Sequence, residues 1–379
     1  MRERLRVLLA TCFYYSGLIR LALWWSQRKE RRLIILNYHR AIGKQLRHQM
    51  RYLRRHYRIM HLEEALEELY TASAETREGV GLGGPGGEAT LAGFGVSPNA
   101  PILQKVLGFC TRGQGSVRDR RTPLVLTFDD GYLDNYSEGW QLARELRVPI
   151  TIFLLPGYSE SGQCFWWLAA DYLVQHSTVE KVIIEGRTYD LQQAADRQAL
   201  IQTIDTRTRV AHSVAEREQF LEMLQLALGV TLPCRATAGV KDTALPLTWD
   251  EIREMAQSGW VSFGAHTMHH PTLSYLTDAS ELQREVVESR QCLEQKLGHP
   301  IRSFAYPIGK IEHIGKNGLQ AVKEAEYQWG LSTIEAVNTP DTDPYLLGRL
   351  PGDERLNWLV MAAELAGLLG LMSRLRRKR

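Results

Sequence analysis

Two adjacent carboxylates stop an apolar run: in PLVLTFDDGY, Pro123 to Tyr132, the residues Leu124, Val125 and Leu126 lead into Asp129, Asp130 and Gly131. Such a run predicts a strand covered on both faces. Gly131 permits a sharp exit that leaves both aspartates at the strand's C-terminal edge, where α/β folds carry their chemistry. Side chains alternate along a strand, so one carboxylate can face a metal while its neighbour faces a substrate. Downstream, WVSFGAHTMHHPTL predicts a second strand, Val261 to Ala265, that runs into His266, His269 and His270. His266 and His270 stand four positions apart, close enough to share an ion if the segment makes one turn, and Asp130 supplies an oxygen ligand. Two imidazoles and one carboxylate make a catalytic-type Zn²⁺ shell with a position left open for water. Each motif alone has an ordinary reading, a DD pair as a turn or helix cap and HxxxH as an exposed polar stretch; their joint placement at two strand ends favours the metal site.

The elements that must position these residues alternate. LIILNYHR, Leu33 to Arg40, reads as a first strand ending in His39, and helices follow at Lys44 to His56 and Leu62 to Tyr70. After the paired aspartates come a helix, Asn135 to Leu146, and a strand, Pro149 to Leu155, which is βαβ spacing and predicts a parallel neighbour with a right-handed crossover. A capping-box pattern at Thr248 and Glu251 opens another helix, which Gly259 ends. The histidine strand, a helix at Ser280 to Leu297, the strand IRSFAYP, a helix at Gly318 to Glu326 and the strand WGLST complete about seven βα steps. His313 falls in the Gly-rich IEHIGKNG, read as a loop.

Two segments interrupt this repeat. Residues 71–122 contain GVGLGGPGGEAT and SPNAP, the composition of a mobile insert with one short helix at Ile102 to Leu107. Residues 157–246 hold an aromatic patch, Phe165, Trp166 and Trp167, a strand-like KVIIEG and polar helical stretches up to Leu228. Trp166 and Trp167 either stack on a sugar or anchor the insert, and the second reading is preferred. No GK[ST] follows a strand, so the glycines are not a phosphate loop.

The composition, 44% hydrophobic and 23% charged over 379 residues, is that of a globular chain of one elaborated domain or two. A net charge of +3 gives no case for a nucleic-acid partner, and neither zinc-finger spacing nor an RNA-binding aromatic signature is present. Five scattered cysteines without CxxC spacing suggest neither a disulfide framework nor a cysteine zinc site, and they lean toward a reducing compartment. Basic residues bunch at the ends. Leu5 to Trp25 is strongly apolar, preceded by Arg2, Arg4 and Arg6 and followed by Arg28, Lys29, Arg31 and Arg32. It is long enough to span a bilayer, but Arg20 inside it favours lying in the interface. A core helix packed on the domain competes, and bulky Leu23, Trp24 and Trp25 argue against a cleavable leader. Asn357 to Met372 is apolar and precedes the basic RLRRKR, an arrangement suited to anionic lipid, with a solvated charge run as the plain alternative. The expected location is a membrane, through a peripheral or single-span attachment with lipids contacting both termini, at the cytoplasmic face.

Taken in order, TFDDGY, HTMHHP and FAYPIG (Phe304 to Gly309) resemble the polysaccharide deacetylase (NodB-homology) family across most of Leu33 to Gly352. That resemblance implies an α/β distorted (β/α)7-type barrel, here with two inserts and apolar terminal helices, and a catalytic domain at 31–355 between terminal segments 1–30 and 356–379. It implies a divalent metal, Zn²⁺ by its ligand types, and removal of N-acetyl groups from an amino-sugar glycan or lipid-linked sugar. The alternatives are a metal amidohydrolase on a non-carbohydrate amide and a catalytically silent membrane-bound glycan-binding or assembly protein, and the intact Asp129, Asp130, His266 and His270 set argues against the second of these. Carried over, Asp129 is the general base, Asp130, His266 and His270 hold the metal, and the Ile308 backbone N–H serves the oxyanion. Many members pair the base with an arginine from the third motif; here Ala305 stands there, and Arg349 in LLGRLPG is the assigned substitute, with a structural ion pair as the alternative. The family's late Leu-x-His acid is also missing, since no histidine follows His313. His39 takes that role in this reading, because it ends the strand LIILNYHR, which a barrel would carry to the rim of the metal, and NYHR resembles the opening of the poly-N-acetylglucosamine deacetylase branch; a histidine that only hydrogen-bonds within the core is the alternative.

Overall fold

In a computed structural model, which describes residues 2–26, 31–78, 119, 121–238 and 242–368, the apolar runs become strands. They are β1 (Ile34–Tyr38), β2 (Arg58–Ile59), β3 (Pro123–Phe128), β4 (Ile150–Leu154), β5 (Lys181–Ile184), β6 (Arg187–Asp190), β7 (Val261–Ala265), β8 (Ser303–Ala305), β9 (Trp329–Leu331) and β10 (Leu350–Pro351). Eight of them form one parallel sheet in the order β10-β1-β3-β4-β7-β8-β9, with β2 added beside β3. Leu347 bridges Leu331 of β9, and Leu350, three residues on, pairs with Leu36 of β1. One short segment therefore touches both ends of the sheet and curls it toward a barrel. Because every pairing in this sheet is parallel, the chain leaves β1, β3, β7 and β8 at the same rim, which brings His39, Asp129, His266 and Tyr306 together.

Alternation along the strands serves two cores. Ile34, Leu36, Leu124, Leu126, Ile150 and Ile152 join the main cluster under the surrounding helices. Ile35, Val125, Phe153, Ala305, Leu331 and Leu347 form a separate buried cluster with Leu62, Ala65, Leu66 and Leu69 of the helix Leu62–Glu78. Both faces of the strands are thus covered, as continuous apolar runs require. Among the helices, Lys44–His56 has the bounds its spacing predicts. Trp249–Gln257 opens with both hydrogen bonds of the Thr248–Glu251 capping box, a device that contributes about 1 kcal/mol.

Several expectations change. The helix predicted at Asn135 to Leu146 begins as a π-helical turn, Asn135–Trp140, before Gln141–Leu146. His313 is not in a loop: the helix Ile311–Glu324 starts well before Gly318 and absorbs the glycines with a kink at Gly315. The helix at Leu62 runs to Glu78, into the segment read as an insert, and the short helix expected at Ile102 to Leu107 lies outside the described residues. KVIIEG becomes one arm of an antiparallel hairpin, β5 and β6. Around it the helices Trp166–Gln175, Ala194–Arg209 and Val214–Leu228 close a core of their own, with Phe165, Leu173, Tyr189, Leu200 and Leu221 at its centre.

The apolar stretch Leu5 to Trp25 is not one helix. It forms α1 (Arg2–Tyr15) and α2 (Leu18–Ser26), bent by 73°. Gly17 makes the bend possible, because its φ of 79° lies in the left-handed region that glycine adopts without strain. At the other end, the helix expected to reach Met372 spans Trp358–Leu365 and gives way to Gly367, again at positive φ (74°). Residues 369–379, with the basic tail, lie outside the described residues.

Candidate active site

The rim of the barrel gathers the residues that the sequence picked out. Asp129 and Asp130 leave β3, His266 follows β7 directly, His270 ends a tight turn, Ile308 follows β8 and His39 follows β1. They line a pocket of about 350 Å³ together with Tyr132, Trp166, Trp167, Arg209, Tyr306 and Thr333. Arg349 reaches the site from beneath, on the segment that closes the barrel.

Backbone geometry marks this rim. Seven non-glycine residues have positive φ among those described, and four are here: Asp130 (73°), Thr267 (72°), His270 (56°) and Ile308 (61°). Each such residue costs of order 1–3 kcal/mol and persists only where its surroundings fix it. The Thr267 hydroxyl accepts from the His270 N–H at 2.9 Å, closing the turn, and His266 N–H donates to Leu154 O at 2.9 Å, keeping that residue in register with β4.

Asp130, His266 and His270 offer one ligand atom each within 4.8 Å of one another. Asp130 Oδ1 lies 3.5 Å from His266 Nε2 and 3.8 Å from His270 Nε2. Ligand atoms on a tetrahedral Zn²⁺ with bonds of 2.0–2.1 Å stand roughly 3.3 Å apart, so this donor set fits such an ion. Burial adds an independent sign: Asp130 is 5% exposed, yet Oδ1 has no hydrogen-bond partner. A buried carboxylate oxygen left without a partner is costly, and a cation held between the two imidazoles would satisfy it. His266 Nδ1 lies 2.6 Å from Ala305 O; the N–H therefore sits on Nδ1 and the Nε2 lone pair faces Asp130. Burial, reinforced by the His266 imidazole, holds His270 down at about 3, the neutral form that ligation needs. For His266, burial lowers the pKa but the Asp130 and Asp129 carboxylates raise it further.

Asp129 faces the other way. Arg349 Nη1 donates to Asp129 Oδ1 at 2.8 Å, with both side chains buried. The guanidinium is held by Ser332 O at 2.8 Å and Asn37 Oδ1 at 3.1 Å. Burial alone would raise the Asp129 pKa, but Arg349, with His266 and His39, overcomes it and brings it to about 2. Ala305, where the third motif's arginine was expected, is a buried strand residue whose carbonyl serves His266.

His269 turns away from the Asp130–His266–His270 cluster. Its Nδ1 lies 2.6 Å from Glu285 Oε1 and its backbone N–H donates to Glu285 Oε2 at 2.9 Å. A side chain at Gly157 would place its Cβ 2.5 Å from His269 Nε2, so the 157–246 layer packs directly on this turn. Two further contacts tie the layer to it: Arg217 Nη2 donates to His269 O at 3.0 Å, and Trp166 Nε1 donates to His270 O at 3.0 Å. Trp166 is thus an anchor, the preferred of its two readings. Trp167, which lines the pocket beside Trp166, stacks on Phe165 (centroids 4.7 Å, 10° between planes) and donates to Tyr132 Oη at 2.7 Å. Sequence reasoning missed Arg217, Glu285, Tyr132 and Arg209. Tyr132 was visible, two positions after Asp130; the others sit in helices whose patterns read as ordinary exposed faces.

A parallel barrel with an Asp-His-His cluster and a second, arginine-buttressed carboxylate at its C-terminal rim defines an α/β protein of hydrolase type. Residues 116–330, more than half of the chain, match the polysaccharide deacetylase family, and the chain belongs to it. It is 29% identical over 104 residues to YxkH of Bacillus subtilis, named as a polysaccharide deacetylase; the match covers 27% of this chain and 36% of that protein. The chain thus spans about a third of the length of that curated relative. Among solved structures, IcaB from Ammonifex degensii is 16% identical with a TM-score of 0.49, covering 88% of this chain and 97% of that one. The Bacillus cereus polysaccharide deacetylase BC0361 is 14% identical with a TM-score of 0.48, covering 89% and 69% respectively.

Proposed function

We propose that the protein is a metal-dependent hydrolase that removes N-acetyl groups from an amino-sugar glycan or a lipid-linked amino sugar. The observation that carries this reading is the placement of an unsatisfied Asp130 carboxylate between two imidazoles, beside a second carboxylate that Arg349 keeps ionised. Asp130, His266 and His270 would hold the ion, and two nitrogens with one oxygen suit Zn²⁺. When bound, the ion supplies Lewis-acid polarisation of the acetyl carbonyl and acidifies water.

The chain's own residues do the rest. Asp129 takes the proton of the attacking water, and Arg349 keeps it anionic and aimed into the pocket. The Ile308 N–H makes no protein hydrogen bond among the described residues and is the donor for the oxyanion. His39 is exposed at the pocket edge and gives the proton that the departing amine needs as the C–N bond breaks, releasing acetate and the free amino sugar. Trp167, braced by Phe165 and Tyr132, presents an aromatic wall suited to a pyranose ring.

Acetate release from metal-defined protein, offered a panel of N-acetylated oligosaccharides and simple N-alkylacetamides, tests the reading. Turnover of oligosaccharides well above that of the simple amides is expected. Cleavage of simple amides with every oligosaccharide left intact would make this a different amidohydrolase.

A further inference from the structure

Two helices of this chain are apolar on both faces. One face of α1 is packed: Ala10 is fully buried, Val7 and Phe13 lie against the main core, and Tyr14 meets Trp358 edge-on at 5.1 Å. Arg6 pairs with Glu364, tying α1 to the helix Trp358–Leu365. The opposite face carries Leu5, Leu8, Cys12 and Tyr15, an i, i+3, i+7, i+10 stripe that is exposed throughout, with Tyr15 at 80%. The second helix repeats the arrangement. Ile19 and Leu23 are buried, while Leu18, Leu21 and Trp25, at i, i+3 and i+7, face outward, with Leu21 at 59%. Of the 13 large exposed hydrophobic side chains among the described residues, seven lie in residues 2–26. That concentration is a patch rather than the single scattered apolar residues usual on a surface.

Charge and shape identify what covers the patch. The first 32 residues hold eight Lys and Arg against two Glu, in a chain whose total net charge is only +3. Arg4, Arg20 and Arg31 are exposed. The helices are 14 and 9 residues long, about 21 and 14 Å at 1.5 Å per residue, short of the roughly 30 Å of a hydrocarbon core. Straightening the pair would uncover Ala10 and Ile19. A second copy docking on this face would bring two arginine-rich surfaces together, whereas anionic headgroups neutralise them.

We propose that α1 and α2 are an in-plane docking surface for an anionic lipid bilayer. Leu5, Leu8, Tyr15, Leu18 and Leu21 enter the headgroup–acyl boundary, Arg4 and Arg20 reach the phosphates, and the buried faces fix the barrel to that surface. This attachment is independent of the reaction assigned to the rim.

Co-sedimentation of the full chain with phosphatidylcholine vesicles, with and without phosphatidylglycerol, tests the proposal. Binding that needs phosphatidylglycerol and weakens in high salt is expected. A Leu8→Glu/Leu21→Glu variant should lose at least about tenfold in vesicle affinity, as expected when two leucines no longer insert, with the thermal midpoint unchanged. If that variant does not fold, Leu18→Ser with Tyr15→Ser provides the same comparison. Absence of vesicle binding by the wild type, or equal binding by wild type and variant, would overturn the proposal. So would a wild-type dimer in lipid-free buffer that the variant converts to monomer, which would assign the face to a second copy. Resistance of the membrane-bound chain to alkaline carbonate extraction would show a span instead of an in-plane surface.

Discussion

The two carboxylates of the site and the histidine turn opposite them are held by different parts of the molecule. Asp129 is fixed from inside the barrel: Arg349, on the segment joining the sheet's two ends, pairs with it and is itself held by Ser332 and Asn37. The His266–His270 turn is fixed from outside. Glu285, on the helix Ala279–Leu297, grips His269, while Arg217 and Trp166 of the 157–246 layer hold the carbonyls of His269 and His270. On the proposed function, proton transfer would therefore depend on the barrel's interior, and metal affinity on elements packed around it. The two should come apart under mutation.

The largest effect should come from the residues assigned to proton transfer in the proposed reaction. Asp129→Asn and His39→Asn should each lose about 10²–10⁴-fold in turnover on an N-acetyl amide while binding metal like the wild type. His39→Asn should also spare an ester with a good leaving group, which departs without protonation. Equal loss on amide and ester would remove His39 from the role of acid.

Arg349→Met tests the interior half of the comparison. Removing one partner of a buried ion pair typically costs about 3–5 kcal/mol, so a large fall in thermal midpoint at neutral pH is expected. The pH dependence carries a sign. Asp129 is held near 2, below its ordinary 3.8, so its stabilisation is fully present above 3.8 and is lost as pH falls through 2. The stability gap between wild type and variant should therefore be widest above pH 4 and shrink toward pH 2, as followed by denaturant titration on metal-free protein. A gap that grows on acidification would show that Arg349 does not act through Asp129.

Smaller and more selective is the expected effect of Arg217→Ala. With one carbonyl of the strained turn released, metal affinity measured against a chelator should fall by about 10–100-fold. Turnover at saturating metal should stay close to wild type. A loss of turnover that excess metal does not restore would mean that the outer layer shapes the pocket and not the ligand turn.

How much of this could be read from the chain follows the same division. Strand ends were legible because a buried apolar run seldom stops at clustered carboxylates or at His-x-x-x-His unless that end binds something, and β7 has its predicted bounds. The Lys44–His56 helix and the Thr248 capping box were legible because their signals are local. Arg349 was reachable only through the resemblance and the alanine at position 305, since nothing in LLGRLPG itself points at a carboxylate 220 residues upstream. Arg217 and Glu285 were not legible: each is a charged residue in a helix, and only tertiary packing turns it toward the histidine turn. The bend at Gly17 was hidden for another reason, because hydropathy averages over a glycine whose φ decides whether one helix or two will form. His313 shows the reverse error, glycines taken for a loop where the helix accommodates them by kinking at Gly315.

In the proposed function Asp130, His266 and His270, and not Asp129 or His269, bind one divalent ion. Bound zinc per chain after dialysis against a weak chelator, compared across Asp130→Ala, His266→Ala, His270→Ala, Asp129→Asn and His269→Ala, tests it most directly. About one zinc per chain is expected for Asp129→Asn, measurable though weakened retention for His269→Ala, and near-complete loss for the other three. Full zinc content in His270→Ala, or its complete loss in His269→Ala, would contradict it.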